Sequence, residues 1–289
     1  HVLPRSLFAF ADMVAATSPA SLELPAFQEA SADRKLAIPA GADFSRLAGL
    51  RPQPLDSFIV GYLGSLDFTK LHPEAISLSA AVRVATARFH FCGDGNDRPL
   101  IEQQARQHGI SERCHFPGHQ EDIAPLLAAF TVFGYPLRPQ NTCTSELALQ
   151  EAMYAGIPPV VFPHGGLDTL VRHGTTGLVA AQPTEYSQAI EWLFHHPAER
   201  KRLGEQAARE AREQFGGTRT AARMAAAYEQ LLMLPKRRRR LHPLTGAAAL
   251  LASLDGHDDS PLAASLAGRE PAASAAEEAT TRAAKAALA

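Results

Sequence analysis

Three features that would assign the chain to a particular class of protein are scarce in its sequence: cysteine, long apolar runs and an excess of charge. Its three cysteines show neither CxxC nor Cys/His spacing, so they give neither a disulfide framework nor a zinc site. No apolar run approaches the roughly 20 residues that span a bilayer, and the region from Leu7 to Ala16 carries Asp12 and lacks the basic segment of a signal peptide. A net charge of −2 argues against a general role in binding nucleic acid or membranes. We therefore expect a cytoplasmic protein with no transmembrane segment and no nucleic-acid partner.

The overall composition is that of an ordinary globular chain. With 289 residues, 46% of them hydrophobic and 20% charged, it is long enough for one large domain and additional segments. It begins at His1 and not at Met, so we expect a fragment or a processed form. The sequence shows no Ser/His/Asp arrangement and no cluster with metal-ligand spacing, so we predict no metal site.

The part of the sequence after Pro235 has a different composition. Residues 236–240 are five consecutive basic side chains, and the remainder is rich in alanine, serine and glutamate. We interpret the basic block as a solvated linker and not as a nucleic-acid or acidic-lipid patch, because the whole chain is not basic. From Ser260 onward little apolar surface is available to offset chain entropy. We therefore predict a helical, partly disordered, low-complexity tail over residues 236–289.

Between Ser57 and Phe215, short β-rich runs alternate with amphipathic helical stretches. The candidate strands are Phe58–Leu63, Arg88–Cys92, Cys114–Phe116, Thr131–Tyr135, Pro159–Phe162 and Gly177–Ala180. The candidate helices lie at about 73–84, 98–108, 121–129, 145–155, 167–172, 185–194, 197–215 and 218–234. This alternation predicts an α/β fold with a doubly wound parallel sheet, whose ligand lies beyond the carboxyl ends of the strands.

One stretch, residues 142–162, combines a loop, a helix and a strand in a way that suggests an anion site. It begins with hydroxyl side chains, continues with good helix formers and stops at Gly156, before two prolines and a β-branched run. Thr144 or Ser145 can cap the helix. Backbone N–H groups then point out of the N-terminus, where the macrodipole also favours negative charge, so a phosphate is a suitable ligand.

Glu151 occupies an unexpected position on this helix. It lies on the same face as Leu147 and Ala148, so a carboxylate interrupts an otherwise apolar stripe and needs a partner. Two interpretations stay open at this point: a carboxylate tied to a neighbouring loop, and a carboxylate that binds a ligand.

Glycine turns follow several of the candidate strands. Gly64 follows the first strand and can let a ligand approach the backbone, and Lys70 can offer a point charge to a phosphate or serve as an ordinary surface lysine. Gly93 follows the second strand, and His119 follows the third, where a surface histidine is the alternative interpretation. Each turn is a weak signal alone, because glycines after strands are common in α/β proteins.

The order of these motifs resembles that of retaining glycosyltransferases of family 4, which have the GT-B fold. The sequence Glu-Ala-Met-x-Ala-Gly-Ile-Pro at residues 151–158, followed by a Val-Val strand, is similar to the donor-site helix of that family. Residues 38–43 resemble the stretch before the donor domain, and residues 64–70 resemble a Gly-Arg-Leu-x-x-x-Lys motif. The resemblance covers about residues 36–234. It implies the Rossmann-like C-terminal half of a GT-B glycosyltransferase.

The resemblance also implies roles for individual residues. The helix N-terminus and Lys70 face the diphosphate of a nucleotide-sugar, Glu151 holds the ribose hydroxyls, and the turns after the strands form the walls of the pocket. The candidate donor-binding residues are Gly64, Ser65, Gly93, His119, Thr144, Ser145 and Glu151, and the candidate catalytic residues are Lys70 and Glu146.

The chain departs from the family pattern at positions where the family concentrates its chemistry. Ser65 stands in place of the arginine that binds the diphosphate together with the lysine. Cys143 stands in place of a glutamate near the sugar, and Glu146 can substitute for it only if the loop is rearranged. Thr169 stands in place of an acid that follows a Gly-Gly pair.

These features predict a three-part organisation and a transferase function. Residues 1–35 are expected to be the remnant of an N-terminal acceptor domain that is otherwise missing, and residues 36–235 a donor-binding domain. We predict transfer of a sugar, of hexosyl type, from a nucleoside-diphosphate sugar to an unknown acceptor with retention, with no cofactor besides the donor substrate. The alternatives are a non-catalytic nucleotide-sugar-binding or interaction module and, third, a phosphorylase or sugar epimerase of the same fold.

Overall fold

A computed structural model of the chain describes residues 11–28, 30–50, 57–139 and 146–236. The chain divides into two compact units. The larger unit comprises residues 15–22 and 37–227, and the smaller one comprises the described parts of residues 1–14, 23–36 and 228–289. Apart from residue 236, the predicted tail lies outside the described residues. The predicted limits of the donor-binding domain, 36–235, stay a prediction.

The strands are β1 Val14–Ala16, β2 Lys35–Ala37, β3 Phe58–Leu63, β4 Ala87–Cys92, β5 Cys114–Gly118, β6 Val132–Tyr135, β7 Pro159–Val161 and β8 Leu178–Val179. The α-helices are α1 Pro19–Leu22, α2 Ala75–Ala80, α3 Arg98–Gln107, α4 Ala124–Ala129, α5 Leu147–Tyr154, α6 Pro183–His195, α7 Pro197–Gln214 and α8 Gly217–Leu232. Short 3-10 helices lie at Pro25–Phe27, Ala32–Arg34, Ser45–Leu47, Ser111–Arg113 and His164–Thr169.

The centre of the larger unit is a six-stranded parallel sheet with the order β5-β4-β3-β6-β7-β8. All six residues of β3 are buried, because it runs through the middle of the sheet with both faces covered. Its uninterrupted apolar sequence is typical of such a strand. Val60 pairs with Phe89 of β4 on one side and with Val132 of β6 on the other. The predicted doubly wound α/β fold is confirmed, and each candidate strand is found within two residues of its predicted limits.

The strand order reverses at β3. The chain runs outward from β3 through β4 to β5, and then returns to the other side of β3 with β6, β7 and β8. In open parallel sheets, a reversal of this kind leaves a crevice outside the carboxyl ends of the strands, where ligands bind.

Two of the predicted helices differ from the structure in an informative way. The helix expected over 167–172 is wrong: residues 164–169 form a 3-10 segment, interrupted where Gly165 and Gly166 adopt positive φ angles of 66° and 82°. The helix expected from Ser145 begins at Leu147, and Glu146 occupies its N-cap position with φ 40° and ψ 58°. Thr144 and Ser145, the predicted caps, lie outside the described residues, as does Cys143.

Candidate functional site

Six of the predicted site residues line one cleft at the carboxyl ends of the strands. Its volume is about 710 Å³. The six residues are Gly64, Ser65, Lys70, Gly93, His119 and Glu151. Gly64 follows β3, Gly93 follows β4, His119 follows β5, and Glu151 projects from α5. The cleft therefore lies at the edge of the sheet where the strand order predicts a ligand site.

A larger concavity of about 1020 Å³ opens at the opposite edge of the sheet. Phe58, Thr131 and Pro158, which lie at the amino ends of their strands, are part of its wall. The predicted site residues that the structure describes do not belong to this wall. Because ligands of open parallel sheets bind outside the carboxyl ends of the strands, the smaller cleft is the better candidate for the site.

The floor of the cleft is built from two glycine turns that touch through their backbones. The Gly64 N–H donates to the carbonyl oxygen of Cys92 at 3.1 Å, and the Gly93 N–H donates to that of Gly118 at 3.0 Å. Gly93 has a φ angle of 143°, and a Cβ atom there would overlap the carbonyl oxygen of Gly64. Only glycine fits this close approach, which leaves the floor free of side chains and open to a ligand.

Ser65 helps to brace the loop between Gly64 and Lys70. Its hydroxyl donates to the carboxylate of Asp67, which also accepts a hydrogen bond from the backbone N–H of Asn96 at 2.6 Å. The hydrogen bond from Ser65, followed by those of the backbone, lowers the pKa of Asp67. Tyr62 donates its hydroxyl to the Ser65 carbonyl at 2.8 Å. Ser65 therefore holds the loop in place and contributes no positive charge to the cleft.

Lys70 is paired with a buried carboxylate. Its Nζ atom lies 2.9 Å from Oε2 of Glu146, whose side chain is 4% exposed whereas that of Lys70 is 33% exposed. The Tyr135 hydroxyl donates to the same oxygen, and Nζ lies 5.5 Å above the Tyr135 ring. Burial, together with the charges of Glu146 and Asp67, raises the pKa of Tyr62. The positive charge that Lys70 brings to the cleft is thus shared with Glu146.

Glu151 has the partner that its position on the helix requires. Its carboxylate forms an ion pair with Arg46, which lies in the short 3-10 helix Ser45–Leu47, 105 residues earlier in the sequence. The structure thus gives the carboxylate a partner within the chain, as the first of the two interpretations requires, while the binding of a ligand by Glu151 stays a prediction. Leu147, on the same helical face, is 45% exposed, so this face is less buried than its apolar sequence suggested.

Arg46 was missed by the sequence analysis, although it lines the same cleft. No motif marks it, and its contact with Glu151 exists only in the folded chain. Arg46 could have been identified because the carboxylate of Glu151 needs a cationic partner and this arginine follows shortly after the motif at residues 38–43.

Residues 39–46 are fixed against α5 by contacts around Glu151. The buried Gln150 donates its amide to the Ala40 carbonyl at 2.9 Å and accepts the Ala42 N–H at 3.2 Å. Phe44 stacks on Tyr154 of the same helix, with 4.3 Å between ring centroids. Because Gln150 precedes Glu151 directly, the contacts that hold this segment also place Arg46 next to the carboxylate.

The last wall of the cleft contains Asp94 and His119. One oxygen of Asp94 accepts a hydrogen bond from the backbone N–H of His119 at 3.2 Å, and the other pairs with Arg98 at 3.1 Å. Arg98 also donates to the carbonyl of Phe116 at 2.8 Å. These contacts join the turns after β4 and β5, while the His119 side chain is exposed at the rim.

The described part of the chain shows neither a metal-binding cluster nor a membrane-spanning helix. It contains no group of three or more His, Cys, Asp and Glu side chains that could hold a metal ion. None of its helices is both long enough and apolar enough to cross a membrane.

Comparison with known proteins gives one family and a set of longer relatives. The family model described as "Glycosyl transferases group 1" matches residues 51–210. A D-inositol 3-phosphate glycosyltransferase of Streptomyces bingchenggensis is 30% identical over 155 residues, which are 52% of this chain and 33% of that protein. One of Thermobispora bispora is 29% identical over 209 residues, which are 71% of this chain and 47% of that protein. The chain thus spans a third to a half of the length of these relatives.

Solved structures resemble the chain in fold. The crystal structure of HepE of Anabaena in complex with UDP matches 78% of this chain and 66% of its own, with a TM-score of 0.68 and 22% identity. A glycosyltransferase of Rickettsia africae matches 81% of this chain and 69% of its own, with a TM-score of 0.71 and 13% identity. At this level of identity, the likeness shows a shared GT-B, Rossmann-like fold.

Proposed function

Because the chain belongs to the family of group 1 glycosyl transferases, we propose that its larger unit binds a nucleoside-diphosphate sugar. In this proposal the whole protein transfers the sugar, of hexosyl type, to an acceptor with retention of configuration, as the resemblance to family 4 implies. One observation carries the proposal: six residues selected by sequence motifs meet in one cleft at the switch point of the sheet.

The cleft offers a place for each part of such a donor. The diphosphate lies beside Lys70, near the N-terminus of α5, whose dipole adds partial positive charge. The ribose hydroxyls donate to Glu151, and the base lies against the turn at His119. The glycine floor lets the diphosphate approach the backbone closely. Thr144 and Ser145 keep their predicted role next to the diphosphate.

The chemistry that follows is mainly electrostatic. The bond between the anomeric carbon and the diphosphate oxygen breaks, and its electron pair remains on the diphosphate. The acceptor oxygen forms the new bond on the same face of the sugar and passes its proton to an oxygen of the leaving diphosphate. Lys70 stabilises the charge that develops on the leaving diphosphate, and Glu151 fixes the ribose so that the sugar is correctly placed. Beyond the donor itself, the proposal includes no cofactor.

In this proposal, a domain other than residues 36–235 binds the acceptor. The lengths of the relatives are consistent with this, since they are two to three times as long as the part that aligns with this chain. The base of the donor is proposed to be uracil, because HepE was crystallised with UDP. GDP and ADP are the two alternatives to compare with it.

A non-catalytic binding module is the second candidate function. It is favoured by the pairing of Lys70 with Glu146, which reduces the positive charge that can stabilise a leaving group. It is also favoured by Ser65, whose neutral hydroxyl is bound to Asp67 and supplies no charge of its own. An assay of sugar transfer and donor hydrolysis on the full-length parent protein separates the two functions. Sustained turnover supports the transferase, whereas tight donor binding without turnover supports the binding module.

The first test of the proposal is calorimetric titration of the chain with UDP, GDP and ADP, repeated with the variant Lys70→Ala. We expect selective binding of one nucleotide. We expect its Kd to rise about 10- to 150-fold in the variant, because a hydrogen bond to a charged group contributes about 1.5–3 kcal/mol. The free energy of unfolding is expected to fall by about 1–3 kcal/mol, because the buried carboxylate of Glu146 loses one partner and keeps the hydroxyl of Tyr135.

The matched control is Lys201→Ala. The side chain of Lys201 is 78% exposed and lies outside the candidate cleft. This control removes the same charge and should leave nucleotide binding unchanged. Absence of binding by the folded wild-type chain, or equal affinity of the wild type and Lys70→Ala, contradicts the proposed donor site.

A further inference from the structure

We propose that Arg46 is a second donor-binding cation, whose guanidinium bridges the carboxylate of Glu151 and the diphosphate. This inference rests on the proposed function and names a residue of the same site that no motif selects. It assigns to Arg46 direct contact with the donor, in addition to its contact with Glu151.

The position of Arg46 makes both contacts possible. Its Nη2 atom pairs with Oε1 of Glu151, and half of its side chain is exposed on the wall of the cleft. A guanidinium carries five N–H donors in a rigid plane, so one contact with a carboxylate leaves other donors for a second anion. The Oε2 atom of Glu151 can then accept a hydrogen bond from a ribose hydroxyl.

The covalent structure of a nucleotide places its anion close to this pair. The ribose and the first phosphate are joined by a single methylene and one oxygen. A guanidinium bound to the carboxylate that holds the ribose is therefore within one side-chain rotation of that phosphate. Arginine suits such a bridge because its planar fork matches both carboxylate and phosphate oxygens.

The charges around the cleft indicate why a second cation is needed. Among the described residues that line it, Arg46 and Lys70 are positive at neutral pH, whereas Asp94, Glu121 and Glu151 are negative. The charge of Lys70 is already shared with Glu146. A diphosphate that met Lys70 alone would enter a cleft with an excess of negative charge, which is unfavourable. Arg46 adds a second positive charge from a half-exposed side chain that can turn toward the ligand.

The segment that carries Arg46 is held firmly enough to define its position. Gln150 anchors the backbone of Ala40 and Ala42 to α5, and Phe44 stacks on Tyr154. The guanidinium can therefore change its direction while its Cα atom stays next to Glu151, which keeps the entropy lost on binding small.

The test compares a nucleoside diphosphate with its own nucleoside. Wild type, Arg46→Ala and Arg46→Gln are titrated with UDP and with uridine, or with the corresponding GDP or ADP pair if wild type prefers another base. We expect both variants to bind UDP about 10- to 150-fold more weakly, the effect of losing a hydrogen bond to a charged group. We expect uridine affinity to change much less, because uridine keeps the base and the ribose but lacks the phosphates.

A matched control is Arg106→Ala, which removes an exposed arginine at the far end of α3. It should bind UDP as wild type does. The slope of log Kd against log salt concentration gives a second readout: it should be smaller for Arg46→Gln than for wild type, because one ionic contact is lost.

The possible outcomes separate this inference from the proposed function. If wild type binds none of the three nucleotides, the donor site and the role of Arg46 both fail. If wild type binds UDP and both Arg46 variants bind it equally well, only the role of Arg46 is refuted. If the variants lose UDP and uridine affinity by the same factor, Arg46 merely positions Glu151 and the contact with the diphosphate is refuted. Residual uridine binding also demonstrates that a variant is folded.

Discussion

Glu146→Gln is the change that tests most directly how the charge of Lys70 is divided between the protein and a ligand. The substitution keeps the size of the buried side chain and removes its negative charge. Because the glutamine carbonyl can still accept the Tyr135 hydroxyl, the polar contact of that buried residue is preserved. Lys70 then offers its full charge to an anion in the cleft, so UDP should bind more tightly to the variant than to wild type.

The size of the effect follows from the geometry. Lys70 Nζ lies 2.9 Å from Glu146 Oε2, and a phosphate oxygen on its far side adds ~3 Å, which places the two anions roughly 6 Å apart. At effective dielectric constants between about 20 and 80, two unit charges at that distance repel each other by about 0.7–3 kcal/mol. Removing the carboxylate should therefore lower the Kd for UDP by about 3- to 150-fold.

Calorimetric titration with UDP measures the affinity, and thermal unfolding of the unliganded chain measures the stability of the same samples. We expect an unfolding free energy about 1 kcal/mol lower than in wild type, since a partly exposed ion pair is lost. The control Glu205→Gln removes an exposed carboxylate paired with Lys201 at 3.8 Å and should not change UDP binding. If a folded Glu146→Gln variant bound UDP as weakly as wild type or more weakly, the charge-sharing argument would be refuted.

Two further predictions concern the turns that form the floor of the cleft. Gly93→Ala should lower the free energy of unfolding by about 3 kcal/mol or more, because the added Cβ overlaps the Gly64 carbonyl at a position with a positive φ angle. The loss is measured as a lower Tm. A Tm equal to that of wild type would contradict the described contact. In Asp67→Asn, the free energy of unfolding should fall less steeply at acidic pH than it does in wild type. Because the hydrogen bond from Ser65 lowers the pKa of Asp67, its stabilisation is present above the ordinary carboxyl pKa and is lost as the pH falls through the lowered value. Thermal unfolding at a series of acidic pH values measures this dependence. If the Tm of the variant fell with pH as steeply as that of wild type, the assigned role of Asp67 would be contradicted.

The sheet could be predicted from the sequence because its signals are local. Runs such as Phe58–Leu63 contain no charged residue and are buried along their whole length, which is typical of central parallel strands. The turns after the strands were also predictable, since glycines such as Gly64 and Gly93 stand directly after them. Where the local signal was ambiguous, as at residues 167–172, the prediction failed, because the preceding Gly165 and Gly166 adopt positive φ angles that interrupt a helix.

The partners of the charged residues could not be predicted, because they depend on contacts between distant parts of the chain. Arg46 meets Glu151 across 105 residues, and nothing in the sequence near either residue specifies the other. The same is true of Lys70 and Glu146, whose pairing requires the loop after β3 to meet the N-terminus of α5. The motifs selected which residues gather in the cleft, while the fold determines how their charges are distributed.

The attachment of residues 39–46 to α5 has a practical consequence for dividing the protein into fragments. The large sheet begins at Phe58, so a truncation designed from its strands alone would start near that residue. Such a fragment would lose Arg46 and would expose the face of the Tyr154 ring on which Phe44 stacks. The fully buried Gln150 would also lose its two hydrogen bonds to the backbone of Ala40 and Ala42. We expect it to express poorly or to aggregate. A fragment intended for ligand screening or crystallisation should therefore start before Pro39, about twenty residues ahead of the first large strand.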